Sequence, residues 1–345
     1  MKSRKVVTKM KKLLAVLLVL ILAVGVAACA QTPPPAPPAP PADAPATEDA
    51  PEEPAVEQGD FTIGYVINNF GDTFQNFIYE AMADYAAAHG VTVINADANE
   101  STATQLNEVE NMIVLGVDAL IVVPVDTSAM EPITRAAQEA GIPLIYVNRN
   151  PFAGMEDQMP AGVYYVGSQE IEAGFMQMRH IGPMLGGEGG VAILQGILSN
   201  EGAIMRTEGN QQIIAEEFPG IDVLAMETAN WQTGEAVTVV ENWITAFGDG
   251  LNAVLANNDD MAIGAIRALQ MAGREDVLVM GIDGNPNALE AIEEGGLVGS
   301  VFQDAVGQGQ GSMRLALNAL TGVQQDSVLW IPFQLITAEN VADFK

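Results

Sequence analysis

The feature of this 345-residue chain that most restricts its fold is an alternation that begins at Phe61. Short, nearly unbroken runs of Val, Ile and Leu are followed by segments with apolar residues at helical spacing. "FTIGYVI" (61–67) predicts a strand, "TFQNFIYEAMADYAAAHG" a helix ending on Gly90, and "VTVINA" a second strand. "ATQLNEVENMIVLG" predicts a helix closed by Gly116, "VDALIVVPV" a strand, "AMEPITRAAQEAG" a helix and "IPLIYVN" a strand. Strands that are apolar throughout are buried on both faces, and strands separated by helices run parallel. The rhythm resumes in "YYVGS", "EGGVAILQG", "IDVLAMETA", "LNAVLANND", "DVLVMGIDG" and "GLVGSVFQD", with no repeat of fixed period. The expected class is therefore α/β: two lobes in tandem, each on a parallel sheet, with enough chain after Phe61 for two cores.

Ligands of such sheets sit beyond the carboxyl ends of the strands. The residues that close each apolar run are thus the candidates. Asp72 follows the first run, Asn148 and Arg149 follow "LIYV", and Asn200 and Arg206 follow "AILQG". Trp231 follows "AMETAN", Asn258 and Asp259 follow "VLAN", Asp283 follows "VMGI" and Gln303 follows "GSVF". Amides, carboxylates and guanidinium groups suit a small neutral molecule with many hydroxyls, because a hydroxyl donates and accepts at once. Phe74 and Trp231 supply flat faces for the C–H side of a sugar ring. Asp72 is also placed to cap the helix that "DTF" opens. Trp243 and Trp330 read as packing residues, and His89 and His180 as exposed residues near helix ends. "GQGQG" (307–311) lacks the spacing and the preceding strand of a phosphate loop.

The N-terminus carries a different signal. Six basic residues precede an apolar run, "LLAVLLVLILAVGVAA" (13–28), which has the layout of an export signal and is short for a bilayer span. "VAAC" (26–29) resembles the lipobox of bacterial lipoproteins, which implies cleavage after residue 28 and lipidation of Cys29; an uncleaved anchor and plain secretion are the alternatives. Cys29 is the single cysteine, so an internal disulfide is excluded. Residues 29–59, rich in Pro, Ala and acid, read as an extended, solvated tether. Loss of the six basic residues leaves eight Lys and Arg against 44 Asp and Glu, a charge of −36. Such a surface repels nucleic acid.

Several stretches in order, "YYVGSQEIEAG", "TANWQTGEA", "LANNDDMAIGAIRAL", "GIDGNPNALEAIEEGGLVGSVFQD" and "IPFQLITAENVADF", resemble the periplasmic sugar-binding proteins of the type I fold, galactose/glucose- and ribose-binding proteins above all. The resemblance implies two Rossmann-like lobes joined by a three-stranded hinge. The first would comprise residues 60–168 and 304–332, the second residues 169–303 and 333–345. It implies a ligand site made of Asp72, Phe74, Asn148, Arg149, Asn200, Arg206, Trp231, Asn258, Asp283 and Gln303, with Phe74 and Trp231 sandwiching the ring. No cofactor, metal or catalytic residue is implied. Two hydroxyl contacts of the galactose/glucose binders are altered, at Asn200 and Gly202, and Gln75 stands where ribose binders carry a second phenylalanine.

The resulting expectation is a monomeric, extracytoplasmic lipoprotein. It binds a monosaccharide, a galactose/glucose-type pyranose, and delivers it to the permease of an ABC importer. The alternatives are a sensor feeding a chemoreceptor or histidine kinase, or a binder of another small polyol, pentose or signalling molecule. A sugar repressor would need a helix-turn-helix where this chain has a signal and tether. An enzyme would need a nucleophile–base pair or phosphate loop that the sequence does not display.

Overall fold

The computed structural model describes residues 60–345. The expected signal, Cys29 and the tether lie outside the described residues. The first sheet contains β1 (Thr62–Ile67), β2 (Thr92–Asp97), β3 (Ala119–Val122), β4 (Leu144–Val147), β5 (Val163–Gly167) and β11 (Val328–Trp330), in the order β11-β5-β4-β3-β1-β2. The second contains β6 (Glu188–Gln195), β7 (Gly220–Thr228), β8 (Leu251–Ala256), β9 (Leu278–Asp283), β10 (Gly299–Phe302) and β12 (Gln334–Ile336), in the order β12-β10-β9-β8-β6-β7. Apart from the end strands β11 and β12, the two orders are the same pattern five strands apart. The repeat therefore lives in topology and leaves no periodic trace in the residues.

Each sheet is covered on both faces, which is why its central strands are apolar throughout. Helices α1 (Thr73–Ala88), α2 (Thr102–Leu115), α3 (Glu131–Ala140) and α9 (Ala305–Thr321) pack on the first sheet. Along β1, Ile63, Tyr65 and Ile67 meet Ile78 and Met82 of α1 and Met313 and Leu317 of α9, whereas Val66 turns to Val109 and Met112 of α2. Helices α4 (Glu170–Met184), α5 (Glu201–Glu217), α6 (Thr233–Phe247), α7 (Asp259–Ala272) and α8 (Pro286–Glu293) cover the second sheet in the same way. The glycine signal is read at the end of α2, where Gly116 takes φ 81°, a left-handed cap that a side chain disfavours.

The chain passes between the sheets three times: between β5 and α4, between β10 and α9, and between β11 and β12. The last crossing modifies the all-parallel expectation, because β12 enters beside β10 antiparallel, pairing Ser300 with Ile336 and Phe302 with Gln334. A three-residue edge strand is too short to show its direction in sequence. Trp243 is buried as expected, but Trp330 lies on an edge strand and is 39% exposed, with its ring edge on Tyr165 at 5.6 Å. The histidines are half-buried rather than exposed. His180 lies inside α4 with Nε2 3.3 Å from the Val298 carbonyl, and His89 stacks on Tyr85. Among the described residues no helix is long and apolar enough to cross a membrane.

Helices α4 and α5 touch through glycine. A Cβ on Gly209 would lie 2.4 Å from the Ile171 carbonyl oxygen and 3.1 Å from Gly174 Cα. Backbone cannot yield as a side chain can, so Gly209→Val is expected to part the helices and cost about 2–3 kcal/mol. Urea unfolding checks this; an unchanged midpoint would refute it.

Candidate functional site

The helices of this fold begin where the strands end, so their first residues converge on the space between the two sheets. All ten sequence-predicted residues line one cavity, together with Gln75, Glu170 and Gly202. Ten of these thirteen carry amide, carboxylate or guanidinium groups; the others are Phe74, Trp231 and Gly202. Three carboxylates face two guanidinium groups.

On the first-lobe side, Asp72 caps α1, its Oδ1 accepting from Gln75 N at 3.2 Å, and its Oδ2 lies 3.6 Å from Arg149 Nη2. The cap and site roles of Asp72 thus coexist. Arg149 is 5% exposed and donates to the Pro124 carbonyl at 2.9 Å. Burial raises the Asp72 carboxyl against the pull of Arg149, and burial lowers the Arg149 guanidinium against the pull of Asp72. Asn148 holds φ 68° at the end of β4. It accepts from Gln75 Nε2 at 2.6 Å, and its Nδ2 donates to Gln303 Oε1 at 2.6 Å and Gln308 Oε1 at 3.1 Å.

On the second-lobe side, Arg206 is the central charge. Its Nε donates to Glu170 Oε2 at 2.5 Å, its Nη1 donates to the Asn257 carbonyl at 2.7 Å, and Nη1 lies 3.8 Å from Asp283 Oδ1. Burial opposes the charged guanidinium, yet Glu170 and Asp283 outweigh it and raise the Arg206 pKa. Asp283 accepts from Gln303 Nε2 at 3.3 Å and from Asn285 Nδ2 at 3.4 Å. Burial, then Asp259, pushes Asp283 well above the ordinary carboxylate range. Asn258 caps α7 through Met261 N and donates to the Trp231 carbonyl at 3.5 Å.

Trp231 is positioned by three contacts. Its Nε1 donates to Asn200 Oδ1 at 3.0 Å, its ring lies 5.8 Å from the Arg206 guanidinium, and it covers Gly196, where a Cβ would come within 2.0 Å of the ring. Asn200 in turn donates to the Val125 carbonyl at 2.8 Å, so its amide orients the indole and bridges the lobes. Trp231 has φ 66° and Asp283 φ 131°, both unusual for residues with a Cβ. With Asn148, three cavity residues hold left-handed backbone, and such strain concentrates at functional sites.

The sequence points to no role for Glu170 or Gln308, and it offers Asp259 only as a strand-end candidate beside Asn258, whereas the structure gives Asp259 a bracing role behind the cavity wall. Glu170 directly follows the strand-end "GSQ", the same position logic that found Asp72. Gln308 belongs to "GQGQG", which is a turn of α9: a Cβ on Gly309 would meet the Ile78 carbonyl oxygen at 2.4 Å, so the glycine seats α9 on α1 and Gln308 braces Asn148. Asp259 is fully buried and accepts from Gly284 N, Asn285 N and Ser300 Oγ at 2.7–2.8 Å, fixing the turn after Asp283. Burial raises its carboxyl from 3.8 to about 7. The folded state therefore keeps a proton that the unfolded chain has lost. The associated stability is complete below pH 3.8 and is lost as pH rises through about 7. Asp259→Asn is expected to lower stability overall and to flatten its pH dependence across that window, as read by thermal melts at a series of pH values. An unaltered slope would contradict this.

A family model described as the periplasmic binding protein domain matches residues 63–324. The chain is 42% identical over 288 residues to a putative rhizopine-binding protein of Rhizobium meliloti, covering 82% of this chain and 92% of that protein. It is 38% identical to the xylitol-binding protein of Mycolicibacterium smegmatis, over 76% of this chain and 73% of that one. A solved ABC transporter solute-binding protein from Bacillus halodurans C-125, with bound myo-inositol, superposes with a TM-score of 0.76 at 41% identity, covering 84% of this chain and 98% of that one.

Proposed function

The chain belongs to the periplasmic binding proteins, solute binders of ABC transporters rather than enzymes, and from that premise we propose that it binds a cyclic polyol of the inositol class between its lobes. The observation that carries this reading is the cavity wall, with hydrogen-bonding groups around its whole perimeter and aromatic side chains only at Phe74 and Trp231. A ring with a hydroxyl on every carbon uses such a perimeter fully. Galactose or glucose, expected from the sequence, lacks a hydroxyl at the ring oxygen, and the relatives at about 40% identity are named for rhizopine, xylitol and bound myo-inositol. Phosphorylated sugars are disfavoured, because carboxylates outnumber guanidinium groups on the wall and both arginines are already paired.

In this reading the lobes, divided as residues 60–168 with 304–332 and 169–303 with 333–345, close about the three crossings. Ligand drives closure by binding the closed state more tightly. Asn200 to Val125 and Thr127 to the Ser199 carbonyl supply direct contacts that close the seam. The protein acts as a monomer, held to the membrane through lipidated Cys29 and the tether, and hands its ligand to a permease. Cys29→Ser is expected to release it into the medium; retention on the membrane would reject the anchor. Uptake of labelled myo-inositol by cells with and without the gene tests the transport role. Lost uptake supports the importer, whereas intact uptake with a lost chemotactic or transcriptional response favours a sensor.

A further inference from the structure

Gln75 is 3% exposed, lines the cavity, and has a side-chain carbonyl without any hydrogen-bond donor. A buried acceptor left unpaired costs free energy, so a native site keeps one for a purpose. Which end of the Gln75 amide is free is not arbitrary. Gln303 Nε2 donates to the Asp283 carboxylate, which leaves Gln303 Oε1 to accept from Asn148 Nδ2 and from Gln308 Nε2 at 3.0 Å. Asn148 must then present Oδ1 to Gln75, and Gln75 must present Nε2 to Asn148. Asp283 Oδ1 lies 3.8 Å from Arg206 Nη1, so any proton that burial keeps on this carboxyl sits on Oδ2, and reversing the line would set Gln303 Oε1 against an oxygen that only accepts. Asp283, an acceptor in the second lobe, thereby dictates the polarity of Gln75 in the first.

We propose that Gln75 is a specificity-determining residue: its Oε1, held in one orientation by the line of amides ending at Asp283, accepts a hydrogen bond from one ligand hydroxyl. This rests on the polyol reading of the same cavity. An aromatic residue here would offer that hydroxyl an apolar face, so Gln75 selects for a ring hydroxylated on the Asn148 side and against a ring bare there.

The test has two arms, both on the whole protein. In the first, wild type and Gln75→Met are titrated with myo-inositol and its monodeoxy analogues, and with galactose and ribose. Gln75→Met should weaken myo-inositol about tenfold or more, as expected for a lost hydrogen bond in a buried site. It should leave unchanged the affinity for the one analogue lacking the contacting hydroxyl. A side chain that merely braces Asn148 would lower every affinity by the same factor, and that result, or no change at all, overturns the assignment. The second arm needs no ligand. At neutral pH Gln75→Glu should be less stable than Gln75→Met, because a carboxylate would face Asn148 Oδ1. The opposite order would mean that the amide line runs the other way, and it overturns the proposal. If no polyol or sugar binds but the stability order holds, the polyol reading and the hydroxyl contact fall together, while the amide orientation stands.

Discussion

Arg206→Met is expected to abolish ligand binding and to destabilise the protein by about 3–5 kcal/mol, the range for breaking a buried ion pair from one side. The Glu170 side chain is 2% exposed and that of Arg206 6%, so the orphaned carboxylate has no route to water without moving α4 against α5. The Asn257 carbonyl also loses its donor, and Asp283 loses the guanidinium 3.8 Å away. Methionine keeps helix propensity and most of the volume, which isolates the charge. A second variant separates the two effects. Glu170→Leu with Arg206→Met removes both charges, and it should recover most of the stability while binding remains lost. Denaturant unfolding and titration of both variants check this. Full affinity in Arg206→Met would place the ligand elsewhere.

Trp231→Ala is expected to weaken binding about 100-fold while shifting the melting temperature little. The indole is half-buried, so its removal costs the fold less than a core residue would. About 100 Å² of one ring face against a ligand corresponds to about 2.5 kcal/mol, close to two orders of magnitude in Kd. The left-handed φ of 66° adds a diagnostic comparison. Glycine accepts that backbone freely, so Trp231→Gly should be at least as stable as Trp231→Ala although it loses the same contacts. If Trp231→Ala bound normally, the indole would be a lid ornament rather than a wall.

The fold was legible because its two strongest signals are local. Runs such as "ALIV" and "LIYV" are apolar without alternation since both faces of β3 and β4 are covered, and Gly116 marks a left-handed cap. The candidate site was legible for a related reason: Asp72 and Asn258 cap helices at strand ends, so one rule of position finds both the cap and the cavity residue. What escaped reading depends on distant partners. The worth of Glu170 comes from Arg206, 36 residues away, and that of Gln308 from Asn148, 160 residues away. The positive φ of Trp231 and Asp283 violates local preference, so no propensity argument predicts it. Direction was lost in β12 and exposure in Trp330, both on edge strands of three residues. The ligand class proposed here differs from the pyranose expected from the sequence because single side chains around one perimeter, not the fold, decide it.

The central claim is that one cyclic polyol fills the cavity between the lobes. Isothermal titration of the protein with myo-inositol, xylitol, ribose, galactose and glucose tests it most directly. The account predicts one-to-one binding that is tightest for myo-inositol. Tightest binding of galactose or glucose, or no heat across the panel from a folded protein, would contradict it.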